Sequence, residues 1–477
     1  MTAQAAEQAA GHPAKAERST RILVAGGGSV GLYAALRLQH RLRRELARGA
    51  IEILVVNPEP YMTYQPFLPE AAAGNISPRH VVVPLRRVLK SCRFLPGELT
   101  AVDPKARIAE VCSLGSKEAG SPPNRIPYDE LVLAPGSVSR TLPVPGLAEH
   151  GIGFKTVEEA IGLRNHVLEQ LDIASSTRDP DVRDAALTFV FVGGGYAGVE
   201  ALAELEDMAR YACRYYPNIH PRELKWLLVE ASNRILPEVG LSMGRYALRE
   251  LRARNIDVRL ETRLDSCTDR VVALSDGSRH RTRTLVWTAG VKPHPVLASC
   301  GLPLDDRGRL RCTPDLRVEG ASHEWAAGDA AAVPDLSADD PGPDGRLPLC
   351  APNAQHAVRQ ARRLADNIVA RLNGRPLTDY RHSYRGSVAS LGLHKGVARV
   401  FGRRLKGYPA WLMHRTYHLS RVPTVNRKAR VAAEWTLAGL FKREIVSLGS
   451  LEHPRAEFES AAGAAQRPDG PSRPGGS

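Results

Sequence analysis

The sequence predicts an α/β protein with two parallel-sheet units and a smaller C-terminal unit. Two observations carry most of that reading. An apolar strand, a glycine cluster and a helix follow one another at residues 21–38 (RILVAGGGSVGLYAALRL) and again at 189–205 (FVFVGGGYAGVEALAEL). Strand and helix alternate around each copy, which is the pattern of a parallel sheet with crossover helices. A third observation sets the last boundary: from about residue 380 the composition shifts to Ser/Gly/Val strands and then to aromatic, Arg-rich segments.

The elements follow in order. Ile22–Ala25 reads as a strand, Val30–Leu46 as a helix and Ile51–Val56 as the next strand. A loop, YMTYQPFLPEAAAGNISP, comes next. Arg107–Cys112 and Leu131–Ala134 read as strands around a Ser/Gly/Pro-rich insert at 113–127, taken as a hairpin tip. A helix is expected near Val157–Leu171. The second unit starts at Thr188, continues with strand Lys225–Glu230 and closes at Leu285–Thr288. Glu324–Ala327 is a strand before Gly328-Asp329, and PDLSADDPGPDGRLP (334–348) is a flexible loop. A long helix runs from Asn353 to Leu372, stopped by Gly374.

Each glycine cluster has the spacing Gly-x-Gly-x-x-Gly. In the first, Gly26, Gly28 and Gly31 enclose Ser29 and Val30; in the second, Gly193, Gly195 and Gly198 enclose Tyr196 and Ala197. The first glycine permits the tight turn, the second lets a pyrophosphate approach the backbone, and the third lets helix and strand pack closely. The helix N-terminus then offers free N–H groups and about half a positive charge. Two such turns imply two Rossmann-like dinucleotide-binding domains, with electrons passing between two bound dinucleotides. The residue ending the next strand faces the ribose. Glu230 in WLLVE accepts bonds from ribose hydroxyls and repels a 2′-phosphate, which favours NADH; Arg234 argues the other way. The matching position in the first unit is Asn57, and Asn57→Asp is expected to hold the first cofactor at least as tightly.

Other totals narrow the function. Net charge is +14, which favours an anionic partner. Ten Lys/Arg against Glu434 alone in 402–443 account for +9 of it. Tyr408, Trp411, Leu412 and Leu419 share one helical face there, and Val431, Trp435, Ala438 and Phe441 share a second. Apolar stripes flanked by cations suit an interfacial helix on an anionic membrane surface. Packing on the rest of the protein, or a homodimer contact, would use the same stripes. No recognised nucleic-acid module is present, so no nucleic-acid partner is expected. The seven cysteines show no metal-type spacing, so no metal is expected; they read as buried thiols in a reducing compartment. No apolar run is long enough to span a bilayer. The N-terminal segment lacks an apolar signal region, and it and the C-terminal end read as disordered tails.

Several further stretches carry a family resemblance: YMTYQPFLPEAAAG, LVLAPGS (131–137), VWTAGV (286–291), EWAAGDAA (324–331) and APNAQHAV (351–358). Together with the two turns, the chain over roughly 20–455 resembles the two-dinucleotide-domain flavoproteins. Within them it is most similar to the type II NADH dehydrogenases, which pass electrons from NADH through FAD to quinone without pumping protons. The resemblance implies FAD on the first turn and NADH on the second, with the NADH domain inserted in the FAD domain. The divisions expected are 1–19 tail, 20–152 and 292–379 FAD domain, 153–291 NADH domain, 380–455 C-terminal domain with amphipathic basic helices, and 456–477 tail. It places Pro66, Ala134, Gly136, Ala289, Gly290, Gly328 and Ala354 near the cofactors, and Asp329 on the ribityl hydroxyls. Glu200 would sit near nicotinamide and flavin, and Gln355 near the quinone. These two are the catalytic candidates. The family's second Gln in that helix is Arg359 here, which donates but cannot accept. The helix from Asn353 would aim its positive end at the flavin, with Ala354, Val358, Ala361, Leu364, Ala365 and Ile368 against the core. The implied location is the cytoplasmic face of the cell membrane, as a peripheral protein. A sulfide:quinone oxidoreductase, with Cys350 as its single candidate thiol, and a low-turnover flavin redox sensor are the alternatives.

Overall fold

The computed structural model describes residues 19–338, 347–383, 386–400, 402–441 and 445–446. Residues 1–18 of the first expected tail, the whole of the second, residues 339–346 of the 334–348 loop, Lys442 and Arg443, and residues 447–455 of the expected C-terminal domain lie outside the described residues.

β1 (Thr20–Ala25) runs into α1 (Ser29–Arg41) and returns as β2 (Ile51–Asn57), parallel to β1 with Leu23 opposite Leu54. β3 (Glu130–Leu133) lies on the other side of β1, also parallel. The chain then leaves this sheet. β4 (Thr188–Val192), α2 (Tyr196–Ala212), β5 (Lys225–Val229) and β6 (Thr284–Trp287) build a second sheet, with β4 between β6 and β5. Only then does β7 (Glu324–Ala326) return to pair with β3. The first sheet is thus completed after the second, which is the topology of an inserted unit. Ile22, Leu23, Val24 and the whole of β4 are buried because both faces are covered and leave no polar side to alternate with. In the second sheet α2 packs on the Phe189 and Phe191 face, and the strands Leu264–Thr268 and Val271–Leu274 cover Val190 and Val192.

α3 (Ala354–Leu372) lies across α1. Its buried face is His356, Ala357, Gln360, Ala361, Leu364, Ala365 and Ile368. Ala354 and Val358, expected on that face, are exposed and half-buried. β8 (Gly386–Ser390), β9 (Gly396–Val400) and β10 (Arg403–Lys406) form an antiparallel sheet, followed by α4 (Tyr408–Arg421) and α5 (Val425–Phe441). This last unit shares a core with the second sheet, through Ala389, Val397, Val422 and Val431 packed with Phe189, Phe191 and Leu202.

Three local expectations change. The first helix breaks at Leu42 into α1 and a short helix, Arg43–Ala47. The 113–127 insert is a helical turn, Leu114–Glu118, capped by Ser113, and a strand, Asn124–Pro127. The C-terminal stripes do not face outward as units. Trp411 and Val431 are buried and Trp435 is half-buried, while Tyr408, Leu412, Leu437, Leu440 and Phe441 are exposed. Arg415, counted among the surface cations, is buried: its guanidinium lies 4.2 Å from the Trp411 ring centre, 4.8 Å from that of Trp435, and 3.1 Å from Glu70.

Candidate active site

The two glycine turns are built alike. Gly26 and Gly193 have φ of +111° and +117°, which a side chain would strain. A Cβ on Gly26 would stand 2.0 Å from Ala134 O, and one on Gly193 2.7 Å from Thr288. The segments leaving β3 and β6 therefore back the two turns in the same way. A Cβ on Gly31 would meet Gly26 O at 1.7 Å, and one on Gly198 would meet Gly193 O at 1.9 Å, so each helix sits directly on its turn. Gly28 and Gly195 are the opposite case: an added Cβ meets nothing within 4 Å. These are the N-cap residues of α1 and α2, and neither helix end carries a side-chain cap. Open ground in front of uncapped N–H groups, headed by Ser29-Val30 and Tyr196-Ala197, fits a pyrophosphate at both places.

The strand ends differ. Glu230 Oε2 accepts from Gly194 N–H at 2.6 Å and Oε1 from Ser232 N–H at 2.7 Å. Asn57 Oδ1 accepts from Gly27 N–H at 2.7 Å, and its Nδ2 donates to Glu59 O at 2.7 Å. The amide thus uses both ends to close its turn. This reverses the expectation for Asn57→Asp, because a carboxylate would set an oxygen against the Glu59 carbonyl.

Gly328 brings three candidate segments of the first unit together. With φ +68°, its missing Cβ would lie 2.7 Å from Val30 and 3.4 Å from Ala357, so Gly328-Asp329 is wedged between the first turns of α1 and α3. Asp329 Oδ2 accepts from Ser137 Oγ at 2.6 Å, and Ser137 Oγ accepts from Lys155 Nζ at 2.6 Å. Burial lowers the Lys155 pKa, against the attraction of Asp329 and Glu159. Gly136 and Gly290 both have positive φ, and the strands beside them, Ser137–Ser139 and Val291–Pro293, pair antiparallel where the chain crosses between units. Ala289 is half-buried at that crossing, and Pro66 sits half-buried in the turn Gln65–Phe67.

Gln355 Nε2 donates to Gly386 O at 2.7 Å, while its buried Oε1 has no hydrogen-bond partner among the described residues. A buried acceptor of that kind costs about 1–3 kcal/mol unless a ligand donor reaches it. Arg359 is turned to the 382–383 segment, with Nη1 2.5 Å from Ser383 O.

Glu200 is buried rather than solvated. Its Oε1 accepts from Ser390 N–H at 2.8 Å and lies 3.1 Å from His414 Nε2 on α4. Ser390 Oγ donates to Glu204 at 3.0 Å, and Glu204 also accepts from Asn75 at 2.9 Å. His414 is 2% exposed. Burial alone would lower its pKa, but the facing carboxylates, Glu200 foremost, hold it raised. His418, one turn on, is lowered well below the usual range by burial and by the charge of His414. Gln355 and Glu200 are therefore bonded to opposite ends of β8, which spans about 13 Å by strand rise.

Residues 20–361 match the family model described as pyridine nucleotide-disulphide oxidoreductase. This chain belongs to that family. It is similar to the type II NADH:quinone oxidoreductase of Staphylococcus haemolyticus, 28% identical over 404 residues, covering 83% of this chain and 94% of that protein. Among solved structures, NDH2 from Plasmodium falciparum in complex with NADH aligns with a TM-score of 0.80 at 17% identity, covering 90% of this chain and all of that one. The sulfide:quinone oxidoreductase of Aquifex aeolicus aligns less closely, at 0.65 and 17%, over 89% of this chain and 96% of that one. Both likenesses show a shared fold.

The family's name includes a disulphide, yet all seven cysteines here are free and five are buried. Burial pushes the Cys92, Cys300 and Cys350 thiols up to about 12, which makes them poor nucleophiles. Sequence reasoning missed Thr288, Ser137, Lys155 and His414. Ser137 ends LVLAPGS and Thr288 lies within VWTAGV, so adjacency could have found both. His414 carried no signal, since its partner is on a distant helix.

Proposed function

We propose that this protein is an FAD-dependent NADH dehydrogenase of type II: hydride passes from NADH to FAD, and the electrons pass to a membrane quinone without proton pumping. The observation that carries it is the pair of open glycine cradles in one chain, with Gln355 and Glu200 tied to the two ends of β8. The names of the relatives supply the acceptor. Residues 20–152 and 292–379 form the FAD unit on this reading, 153–291 the NADH unit and 380–455 the third.

FAD supplies the redox chemistry when bound, as hydride acceptor and two-electron donor. The chain's own residues do the rest. The N–H groups after Gly28 and Gly195 hold the two pyrophosphates. Glu230 faces the NADH ribose and disfavours a 2′-phosphate. Asp329, held by Ser137, faces the ribityl chain. The α3 N-terminus would lend positive potential to the ring end, and Gln355 Oε1 would accept from a flavin ring N–H or from the quinol hydroxyl. The sum NADH + H⁺ + quinone → NAD⁺ + quinol consumes one proton, and the buried His414, 3.1 Å from Glu200, is held toward its protonated form.

The exposed Leu437, Leu440 and Phe441 of α5, with Tyr408 and Leu412 of α4, dock the protein on an anionic leaflet, peripherally and on the cytoplasmic face. No helix among the described residues is long and apolar enough to cross a membrane. If half the surface cations of this region face the leaflet, charge contributes about 4 kcal/mol, near-millimolar binding on its own. The apolar side chains must supply the remainder.

Steady-state NADH oxidation with a short-chain quinone, with and without anionic vesicles, tests the reading. Quinone-dependent turnover and co-sedimentation with the vesicles are expected. Flavin-bound protein that turns over with no quinone contradicts it.

A further inference from the structure

Outside the two glycine turns, one cluster of ligand-type side chains is assembled from three separate segments. Asp335 lies just past the short strand Ala331–Ala332, Cys350 ends the segment that returns beside it, and His356 stands in the first turn of α3. The carboxylate oxygen, the thiol sulfur and the imidazole nitrogen all lie within 4.8 Å of one another. Cys350 and His356 are buried, and Asp335 is half-buried.

The scaffold fixes each member. Asp335 N–H donates to Pro348 O at 2.7 Å and Cys350 N–H to Val333 O at 2.9 Å, which clamps two of the segments side by side. Asn353 caps α3 by accepting from His356 N–H at 2.9 Å. The His356 ring is oriented from behind: its Nδ1 is 3.1 Å from the Tyr380 hydroxyl, and its face stacks on His382 with ring centres 3.9 Å apart. The Tyr380 hydroxyl also lies 3.0 Å from His382 Nδ1. Occupation of Nδ1 leaves Nε2 as the ligating nitrogen. Metal sites fix a ligating histidine through a partner on its other ring nitrogen, most often a carboxylate, carbonyl or water, and here the Tyr380 hydroxyl stands in that position.

We propose that Asp335, Cys350 and His356 bind one divalent transition-metal ion, with zinc the best match and water in the fourth position. A mixed sulfur, nitrogen and oxygen set suits zinc and excludes magnesium and calcium, which require oxygen ligands throughout. Tetrahedral ligands around zinc stand about 3.3–3.8 Å apart, so the three atoms need close by only about 1 Å. Binding replaces the Cys350 S–H proton with a metal–sulfur bond, and the proton leaves to solvent. Thiolate and carboxylate together cancel the charge of the ion, so the filled pocket is neutral. The ion ties the segment before α3 to the first turn of α3, beside Gln355.

The test uses full-length, flavin-loaded protein stripped with a chelator and titrated with Co²⁺. One equivalent is expected to bind, giving tetrahedral bands to the red of the oxidised flavin and a sulfur-to-cobalt charge-transfer band; zinc erases both. Cys350→Ser loses the charge-transfer band, and Tyr380→Phe weakens affinity roughly 10–100-fold while flavin content is unchanged. Should Cys350→Ser fail to fold, X-ray absorption of the zinc-loaded wild type decides: one sulfur at about 2.3 Å is expected. No stoichiometric binding, or a shell without sulfur, overturns the site.

Discussion

At Gly27 the turn is closed by an amide and at Gly194 by a carboxylate, and the two closures are not equivalent. Asn57 accepts one backbone bond and donates another, which leaves it one lone pair, one N–H and no charge for a ligand's hydroxyls. Glu230 accepts two, and a carboxylate has about four lone-pair sites. The glycine backbones of the two halves agree closely, from φ at the first glycine to the clearance at the second. The comparison teaches that the fold specifies the phosphate cradle, while a single strand-end side chain sets whether a charged or a neutral group stands beside it. That suits a cofactor exchanged every turnover in the second half and a resident one in the first.

The largest effects should come from changing what the halves share. Gly31→Ala and Gly198→Ala each push a Cβ into a backbone oxygen, and each should cost more than about 3 kcal/mol in chemical unfolding. Gly28→Asp and Gly195→Asp enter open space and should leave the fold intact. The first should strip FAD; the second should keep the flavin and raise the NADH KM at least about tenfold by phosphate repulsion. A doubly flavin-free result would show that the halves are not separable.

Changing what differs should give intermediate effects. Glu230→Gln removes the charge and should raise the NADPH-to-NADH ratio of kcat/KM about 10-fold, equal to about 1.4 kcal/mol. Asn57→Asp should lower the melting temperature, by about 1 kcal/mol of lost hydrogen bonding, without tightening FAD. An unchanged melting temperature together with slower FAD loss would restore the simpler ribose reading.

The Glu200–His414 pair gives a smaller, pH-dependent signature. His414 faces Glu200 and Glu204 from α2, Glu70 from the helix Leu68–Ala72, and Arg415 and His418 on its own helix. A histidine raised in the folded state adds stability that is complete below its unfolded value of about 6.5 and is lost as pH rises through the folded one. His418, lowered in the fold, works oppositely and costs stability as pH falls. The difference between wild type and Glu200→Gln isolates the first term. It should shrink as pH rises above about 6.5, and a difference that grows would refute the assignment. The smallest effect is on docking: Leu440→Glu with Phe441→Glu should weaken vesicle binding and leave quinone turnover in detergent unchanged.

The outer glycines of each turn were legible because a backbone constraint dictates the residue: positive φ at Gly26 and Gly193 and sub-van-der-Waals clearances at Gly31 and Gly198 admit only glycine, whereas Gly28 and Gly195 carry no such constraint. Glu230 stood out for a different reason, since it directly follows a strand whose place after the glycine turn could be read. Glu200 was singled out as a candidate, but its burial was not foreseen, because α4 reaches it from the far end of the chain and no periodicity records that. The C-terminal stripes were misread in part for a related reason. Trp411, Val431 and Trp435 have the spacing of a membrane face and the spacing of a core face alike, and only the position of Phe67, Glu70 and Arg415 decides between them. The Asp335–Cys350–His356 cluster was invisible because its members belong to three segments with no metal-type spacing.

The most direct measurement is an anaerobic titration of the purified yellow protein with NADH, followed in the flavin absorbance. One NADH per flavin should bleach it, and one quinone per flavin should restore it. A flavin that stays oxidised under excess NADH would contradict the pairing of the two cradles.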